Sequence, residues 1–244
     1  MEKKDFVNDK LTLIQETDGL TFGTDALLLA GYINGSHNLG CEFGSGSGII
    51  SMLLLVREKI RRVTALEVQK KYADLTRRNA ELNNLADRLT AVHTDLRIYR
   101  GSGEFDIIFT NPPYMKTTSG KQNAVEEKNI ARHEVCGDIY DFCEAAAKML
   151  KFSGYFTAVY RPDRLVDLID AMRKNLIEPK RITLVHADTM SEPSMALVEG
   201  RLGGKCSLTV TRPLIIYRDG SHTEYSDDMN YIMENGSFPS DFKR

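Results

Sequence analysis

From residue 38 onwards, short apolar runs alternate with amphipathic helical segments, and this alternation limits the folds that are open to the chain. It is typical of α/β proteins that are built on a parallel sheet. The first unit has a strand over Asn38–Phe43, a glycine-rich turn over Gly44–Gly48 and a helix over Ile49–Lys59. We therefore predict an α/β fold with a mostly parallel sheet and helices on both faces.

Six further runs have the composition of strands, which gives seven in all. Phe105–Thr110 is a buried strand, and it stops at Asn111-Pro112-Pro113 because proline cannot donate to a strand ladder. The predicted helices lie near Lys70–Asn83, over Asp138–Lys151 with Asp138 as its cap, and over Asp163–Asn175. The other predicted strands are Arg62–Leu66, Leu89–His93, Tyr155–Tyr160, Ile182–His186 and Ser207–Tyr217.

The chain has no internal repeat and no linker rich in Pro, Gly or Ser, so we predict a single domain over residues 1–244. We expect residues 38–217 to form the core sheet and residues 1–37 to form an N-terminal extension. Residues 218–244 form an acidic C-terminal segment, since positions 219–244 carry six acids against Lys243 and Arg244. This segment has few apolar side chains to bury, and we assign it no secondary structure.

Composition excludes several classes of protein. Hydrophobic residues make up 42% and charged residues 27%, as in ordinary globular domains. No apolar run approaches the roughly 20 residues of a membrane helix, and the charged start Met1–Asp9 lacks the apolar segment of a signal peptide, so we expect a cytoplasmic protein without a membrane partner. The four cysteines and five histidines have no short ligand spacing, so we predict no metal site. A net charge of −2 excludes a general polyanion binder but permits local basic patches.

Three acids lie at the ends of successive predicted strands, at the edge where open α/β sheets bind ligands. Glu42 precedes the glycine turn, Glu67 closes the second strand and Asp95 follows the third. Glycine lets the backbone approach a ligand closely, although such a turn also occurs for packing alone. Glu67 is placed to hold both hydroxyls of a ribose, and Asp95 to accept from an adenine amino group. These features suit a cofactor that contains adenosine, and by themselves they leave NAD open.

The motif Asn111-Pro112-Pro113-Tyr114 directly follows a buried strand. Prolines are common at strand ends for structural reasons, but these reasons explain neither Asn111 nor Tyr114. In the functional interpretation, the Asn111 side-chain oxygen and the Pro112 carbonyl accept both hydrogens of a planar amino group, and Tyr114 stacks on the ring that bears it. Two fixed acceptors favour a tetrahedral nitrogen whose lone pair can attack a sulfonium methyl group. Hydride transfer has no use for this arrangement, which excludes NAD.

Together, the glycine turn, Glu67, Asp95 and the Asn-Pro-Pro-Tyr motif resemble the class I S-adenosylmethionine-dependent amino-methyltransferases. The flanking segments resemble one branch of this family, the bacterial tRNA adenine-N6 methyltransferases that modify position 37 of valine tRNA. The resemblance implies a Rossmann-like, seven-stranded sheet that ends in an antiparallel hairpin. The segments that carry the resemblance to this branch are Asp18–Leu28, Ala131–Glu134, Arg161-Pro162, Glu178–Arg181 and Pro213–Tyr217.

The resemblance also implies the cofactor, the residues that contact it, and a contribution of the N-terminal extension over residues 1–37 to the cofactor and substrate site. The cofactor is S-adenosyl-L-methionine. Glu42 stands where many relatives carry Asp. The implied catalytic residues are Asn111, Pro112 and Tyr114. The implied cofactor contacts are Thr24, Asp25, Glu42, Gly44, Gly46, Gly48, Glu67, Asp95 and Asn111.

The range of possible substrates is narrowed because the chain has no room for two domains that other methyltransferases carry. No segment is large enough for a DNA target-recognition domain, and the glycine turn begins at residue 44, which leaves no room for the helical domain of release-factor methyltransferases. A compact enzyme suits a structured RNA, because a loop base is flipped out more easily than a base in a duplex. We therefore expect a monomeric enzyme that methylates N6 of an adenine in a tRNA anticodon loop. The alternatives are a methyltransferase for an exocyclic amine of ribosomal RNA and a catalytically silent RNA-binding assembly factor.

The candidate contacts to RNA lie mainly in the polar stretch over residues 115–134. We predict that this stretch forms a mobile lid, because it is polar throughout and directly follows the catalytic turn. The candidate RNA contacts are Lys116, Lys121, Arg132 and His133 in the lid, and Arg161 after the fifth strand.

Overall fold

The structure is a computed structural model, and it describes residues 2–8, 11–16, 23–112 and 137–242. Its strands are β1 (Glu2–Asn8), β2 (Leu11–Glu16), β3 (His37–Phe43), β4 (Ile60–Glu67), β5 (Leu89–His93), β6 (Phe105–Thr110), β7 (Leu150–Tyr160), β8 (Ile177–His186), β9 (Pro193–Leu202), β10 (Thr209–Val210) and β11 (Leu214–Ile215). Its α-helices are α1 (Thr24–Tyr32), α2 (Ile49–Val56), α3 (Lys70–Leu82), α4 (Ile139–Met149), α5 (Leu165–Lys174) and α6 (Asp227–Asn235).

The order in which strands are added to the main sheet reverses at β3, in the middle of the sheet. β4 and β5 extend from one edge of β3, and β6 and β7 extend from its other edge, with every neighbouring pair parallel. Phe43 is in register with both Leu66 and Thr110. The carboxyl ends of β3, β4 and β6 therefore meet at one edge, where open α/β sheets bind their ligands.

Two apolar layers hold helices against the two faces of the sheet, because side chains alternate between faces along each strand. On one face, Ala65 and Phe109 belong to a core that includes α1 and α2. On the other face, Phe43 and Ile108 belong to a core that includes α4 and α5. Among the helices described above, none has the length and apolar composition needed to cross a membrane.

The sheet contains the antiparallel hairpin that the family resemblance implies, formed by β8 and β9, but the prediction of a last strand over Ser207–Tyr217 was wrong. β9 pairs antiparallel with both β7 and β8, whereas the 207–217 segment gives only the short strands β10 and β11, which run parallel to β8. Glu199 interrupts the apolar sequence pattern of β9, because a glutamate is expected at the protein surface. Its carboxylate is nearly buried, because it accepts a hydrogen bond of 3.0 Å from Arg181 on β8.

The N-terminal residues form a separate hairpin of β1 and β2, which packs against α3. Asn79 of α3 fixes it in place. Its Oδ1 accepts from the Ile14 N–H at 2.7 Å, and its Nδ2 donates to the carbonyls of Ile14 at 3.1 Å and Ser47 at 2.9 Å. One buried side chain therefore connects the N-terminal hairpin, α3 and the glycine turn.

The C-terminal segment contributes to the core, so the prediction that it has little to bury was wrong. It forms α6, and beyond this helix the rings of Phe238 and Phe242 are fully buried. The two rings pack edge to face, with 5.3 Å between their centroids. The acids of the segment also have partners from the body of the domain. Arg212 pairs with Asp228 at 2.5 Å, for example. A few apolar residues and compensated charges are sufficient to fold a segment whose composition is mostly polar.

Candidate active site

The glycine turn lies between β3 and α2 and opens toward the carboxyl edge of the sheet. Gly44 and Gly46 have φ angles of +68° and +55°, in the left-handed region that favours glycine. A Cβ atom at either position would meet no atom within 4 Å, so both residues face open space. Gly48 differs, because its Cβ would lie 2.7 Å from Thr76 Cγ2 of α3. The first two glycines leave room for a ligand, and Gly48 allows α3 to pack closely.

The Glu67 carboxylate lies beside this turn, at the end of β4. Its Oε2 accepts from the Gly46 N–H at 3.0 Å, and its Oε1 accepts from the Gln69 N–H at 2.9 Å. A carboxylate oxygen accepts about two hydrogen bonds, so these two contacts leave each oxygen with a further acceptor position. This arrangement fits the predicted contact with ribose hydroxyls, which stays a prediction.

Glu42 lies inside the fold, where it caps a helix. Its Oε2 accepts from the Ser51 N–H at 3.2 Å and also from the Ser51 hydroxyl. Ser51 is in the first turn of α2, whose N-cap residue Gly48 has no side chain to accept these donors. Burial raises the pKa of Glu42 to about 8, although the hydrogen bonds from Ser51 act in the opposite direction. The capping role was missed at the level of sequence, and the predicted contact of Glu42 with the cofactor stays a prediction.

Asp95 follows β5, and its carboxylate is held by its neighbour Arg97. The Arg97 guanidinium donates to both carboxylate oxygens, with a shortest distance of 2.5 Å from Nη2, and the Arg97 N–H donates at 2.8 Å. The hydrogen bonds from the Arg97 side chain lower the pKa of Asp95 below its usual value. Asp95 is therefore ionised and held in one position, and an adenine amino group would share its oxygens with the guanidinium.

Asn111 and Asp25 meet at this edge, although they are 86 residues apart in the chain. Asn111 Nδ2 donates to Asp25 Oδ2 at 2.7 Å, and Asp25 Oδ1 accepts from the Ala26 N–H at 2.9 Å. Asn111 Oδ1 is buried and has no hydrogen-bond partner among the described residues. Buried polar atoms are nearly always paired, so this oxygen fits the predicted role of an acceptor for a substrate amino group.

The remaining predicted residues divide into those the structure describes and those it does not. Thr24 is the first residue of α1, next to Asp25, and Pro112 is buried next to Asn111. Arg161 forms an ion pair with Asp163 at 2.5 Å, and a phosphate could replace such a surface pair at little cost. Within the described ranges, no group of three or more His, Cys, Asp or Glu residues is arranged to hold a metal ion. The predicted residues outside the described part are Tyr114, Lys116, Lys121, Arg132 and His133, together with the rest of the predicted lid.

The sheet order, the antiparallel hairpin and the glycine turn define a Rossmann-like methyltransferase domain. A family model described as "Methyltransferase small domain" matches residues 17–175. This match includes the glycine turn, Glu67, Asp95 and Asn111, and it covers more than half of the chain. The chain belongs to this family of methyltransferases.

Individual relatives agree with this assignment. A curated protein from Phocaeicola vulgatus, named tRNA1(Val) (adenine(37)-N6)-methyltransferase, is 25% identical over 191 residues, which are 78% of this chain and 80% of the relative. The crystal structure of a predicted O-methyltransferase from Agrobacterium tumefaciens has a TM-score of 0.72 at 21% identity and covers 88% of this chain and 98% of its own. Geranyl diphosphate C-methyltransferase from Streptomyces coelicolor, crystallised with S-adenosyl-L-homocysteine, has a TM-score of 0.56 at 13% identity and covers 73% of this chain and 80% of its own. The two structures share the fold of this chain.

Proposed function

We propose that this methyltransferase transfers a methyl group from S-adenosyl-L-methionine to N6 of an adenine in a tRNA anticodon loop, at position 37 of valine tRNA. The observation that carries the proposal is Oδ1 of Asn111, which is buried and has no partner among the residues that the structure describes, at the edge that also holds the glycine turn and Glu67. The name of the relative from Phocaeicola vulgatus supports the tRNA substrate. A tRNA substrate also supports a cytoplasmic location.

The residues of the site fit S-adenosyl-L-methionine. Gly44 and Gly46 leave space along the turn, and Glu67 keeps acceptor positions for hydroxyl groups. These residues and the edge near Asp95 would hold the cofactor. When bound, S-adenosyl-L-methionine supplies an electrophilic methyl group on a sulfonium centre. The structural relative with bound S-adenosyl-L-homocysteine, which is the product of such a transfer, supports this choice.

The chain itself contributes mainly by holding the amino group of the adenine in place. The lone pair of an exocyclic amine is delocalised into its ring, so the amine is a poor nucleophile. Asn111 Oδ1 can accept one amino hydrogen and the Pro112 carbonyl the other, which favours the tetrahedral nitrogen of the transition state. No strong base is needed before the attack, so orientation and preorganised acceptors carry most of the rate enhancement.

The substrate is tested with purified protein and methyl-labelled S-adenosyl-L-methionine, in parallel reactions with transcripts of valine tRNA and with ribosomal RNA. We expect one methyl group per tRNA, recovered as N6-methyladenosine at position 37, and no label in a transcript with guanine at that position. Label that enters only ribosomal RNA would contradict the tRNA assignment. Cofactor binding without transfer to any RNA would indicate the silent assembly factor instead.

The role of Asn111 is tested by the Asn111→Ala variant. Removing one preorganised transition-state contact lowers kcat by about 100-fold or more. We expect such a loss while the Kd for S-adenosyl-L-methionine, measured by calorimetry, stays within about threefold, because the lost acceptor faces the substrate. Asn230→Ala, at an exposed position of α6, is the matched control. Activity of Asn111→Ala equal to that of the control would refute the acceptor role.

A further inference from the structure

The side-chain amide of Asn111 can accept a hydrogen bond from a substrate amino group in only one of its two orientations. The two ends of an asparagine amide have nearly the same shape, but one end only accepts and the other only donates hydrogen bonds. A substrate amino group needs the accepting end. If the amide were turned by 180°, its NH2 group would face the NH2 group of the substrate, and neither could accept from the other.

Asp25 decides between these orientations. A carboxylate only accepts, so the NH2 end of Asn111 turns to Asp25 Oδ2 at 2.7 Å and leaves Oδ1 facing away from it. The opposite orientation would place Oδ1 against a carboxylate oxygen, and the two acceptors would repel each other. The unpaired state of Asn111 Oδ1 within the described part of the chain is therefore a consequence of Asp25.

Asp25 is itself held in place, as a positioning group must be. Its Oδ1 accepts from the Ala26 N–H at 2.9 Å, in the first turn of α1. The other end of α1 is fixed by Lys59, whose ammonium donates to the carbonyls of Ala30 at 2.8 Å and Ile33 at 2.7 Å. Lys59 lies directly before β4, so α1 and Asp25 are connected to the strand that carries Glu67.

We propose that Asp25 is a positioning residue for methyl transfer, whose carboxylate holds the Asn111 amide with Oδ1 directed at the reacting amino group. This inference rests on the proposed function, because it assumes that Asn111 accepts from an amine. Asp25 also strengthens the acceptor. A negative charge on the NH2 side polarises the amide and makes Oδ1 more negative, which stabilises a nitrogen that becomes positive during the transfer.

Kinetics distinguish this role from the cofactor contact that the family resemblance implies for Asp25. Oδ1 of Asp25 accepts from Ala26 and Oδ2 from Asn111, and each oxygen keeps a further acceptor position, as in Glu67. Substitution of a residue that holds the cofactor lowers the affinity of the protein for the cofactor. Substitution of a residue that orients Asn111 lowers kcat and leaves the affinity nearly unchanged.

The Asp25→Asn variant separates these roles with little change in size. Its amide can present either an oxygen or an NH2 group to Asn111, so the orientation of the Asn111 amide is no longer fixed. We expect kcat to fall by about 10- to 100-fold, while the KM and Kd for S-adenosyl-L-methionine stay within about threefold. Asp87→Asn, at an exposed position, is the matched control and should keep full activity. An unchanged kcat, or a loss confined to cofactor affinity, would overturn the proposal.

A second readout does not depend on methyl transfer. In the free protein, the side-chain NH2 signals of Asn111 in a ¹H–¹⁵N spectrum are assigned by their absence in Asn111→Ala. We expect these protons to be protected from exchange with water in the natural protein and to lose this protection in Asp25→Asn. Fast exchange in the natural protein would refute the positioning role. This holds whether or not tRNA proves to be the substrate, so failure of the proposed function and failure of this inference are distinguishable.

If Asp25→Asn does not fold, Asp25→Ser takes its place. Serine keeps a side-chain oxygen for the first turn of α1 but is too short to reach Asn111. The same loss of kcat and of exchange protection is expected. Full retention of both would overturn the proposal.

Discussion

The buried carboxyl group of Glu42 couples the stability of the fold to pH. It lies in β3, 1% exposed, and its hydrogen-bond donors within the described ranges are the N–H and the hydroxyl of Ser51. Neutral serine and amide donors do not compensate a buried negative charge in full, so burial raises the pKa from 4.5 to about 8. In the unfolded chain the same group is in water and ionises at its ordinary value.

The sign of the effect follows from proton binding. Between pH 4.5 and about 8, the folded chain keeps a proton on Glu42 that the unfolded chain has lost, so a rise in pH favours unfolding. Each pH unit in this window costs about 1.4 kcal/mol. The folded state is therefore destabilised by on the order of 3 kcal/mol between pH 5 and pH 7.5, and the effect ends above a pH of about 8.

Glu42→Gln removes this dependence and keeps the helix cap, because the glutamine oxygen can accept from the Ser51 N–H and hydroxyl in the same way. The difference in unfolding free energy between the variant and the natural protein should therefore grow in favour of the variant as pH rises. We expect growth of about 3 kcal/mol between pH 5 and pH 7.5. Urea unfolding at several pH values measures it, and taking the difference removes the contribution of all other titrating groups.

Glu81→Gln makes the same chemical change at an exposed position of α3 and serves as the control. Its difference from the natural protein should show no such growth with pH. If the difference for Glu42→Gln also stays constant, or shrinks as pH rises, the carboxyl group is ionised in the folded protein. Burial would then not raise the pKa of Glu42 in the folded protein.

Two further variants test the cofactor site and the core. Glu67→Ala should weaken S-adenosyl-L-methionine binding by about tenfold or more in calorimetry, since a charge-assisted hydrogen bond contributes about 1.5–3 kcal/mol, and unchanged affinity would remove the ribose assignment. Phe242→Ala should lower the unfolding free energy by about 3–5 kcal/mol in urea, because its ring is fully buried. A loss below about 1 kcal/mol would mean that the C-terminal segment contributes little to the core.

Local patterns were sufficient to predict much of the main sheet. β5 and β6 occupy the predicted ranges Leu89–His93 and Phe105–Thr110. β6 is marked by an apolar run that two prolines follow, and a glycine turn marks the end of β3. Each of these signals is contained within about ten residues, which is the range over which hydrophobic periodicity and turn residues determine structure.

Features that depend on distant partners could not be predicted in this way. Glu199 is accommodated in a buried strand through its ion pair with Arg181 on the next strand. The pairing of Asp25 with Asn111 spans 86 residues, so no local signal predicts it.

The helix cap that Glu42 provides could, in contrast, have been predicted from the sequence, because Ser51 follows a glycine at the start of α2 that offers the helix no side-chain acceptor.

The polar groups at the carboxyl edge of the sheet differ in how fully the fold satisfies them, and this difference separates structural from functional roles. Glu42 is buried and directed at the donors of α2, and nothing in its position requires a ligand. Glu67 braces the glycine turn and still keeps acceptor positions. In the described part of the chain, Asn111 Oδ1 is buried with no partner at all. An unpaired buried acceptor destabilises a fold by about 1–3 kcal/mol. Asp25 holds Asn111 Oδ1 in this unpaired state. The contact between Asp25 and Asn111 is therefore better explained by a hydrogen-bond donor of the substrate than by a contribution to stability.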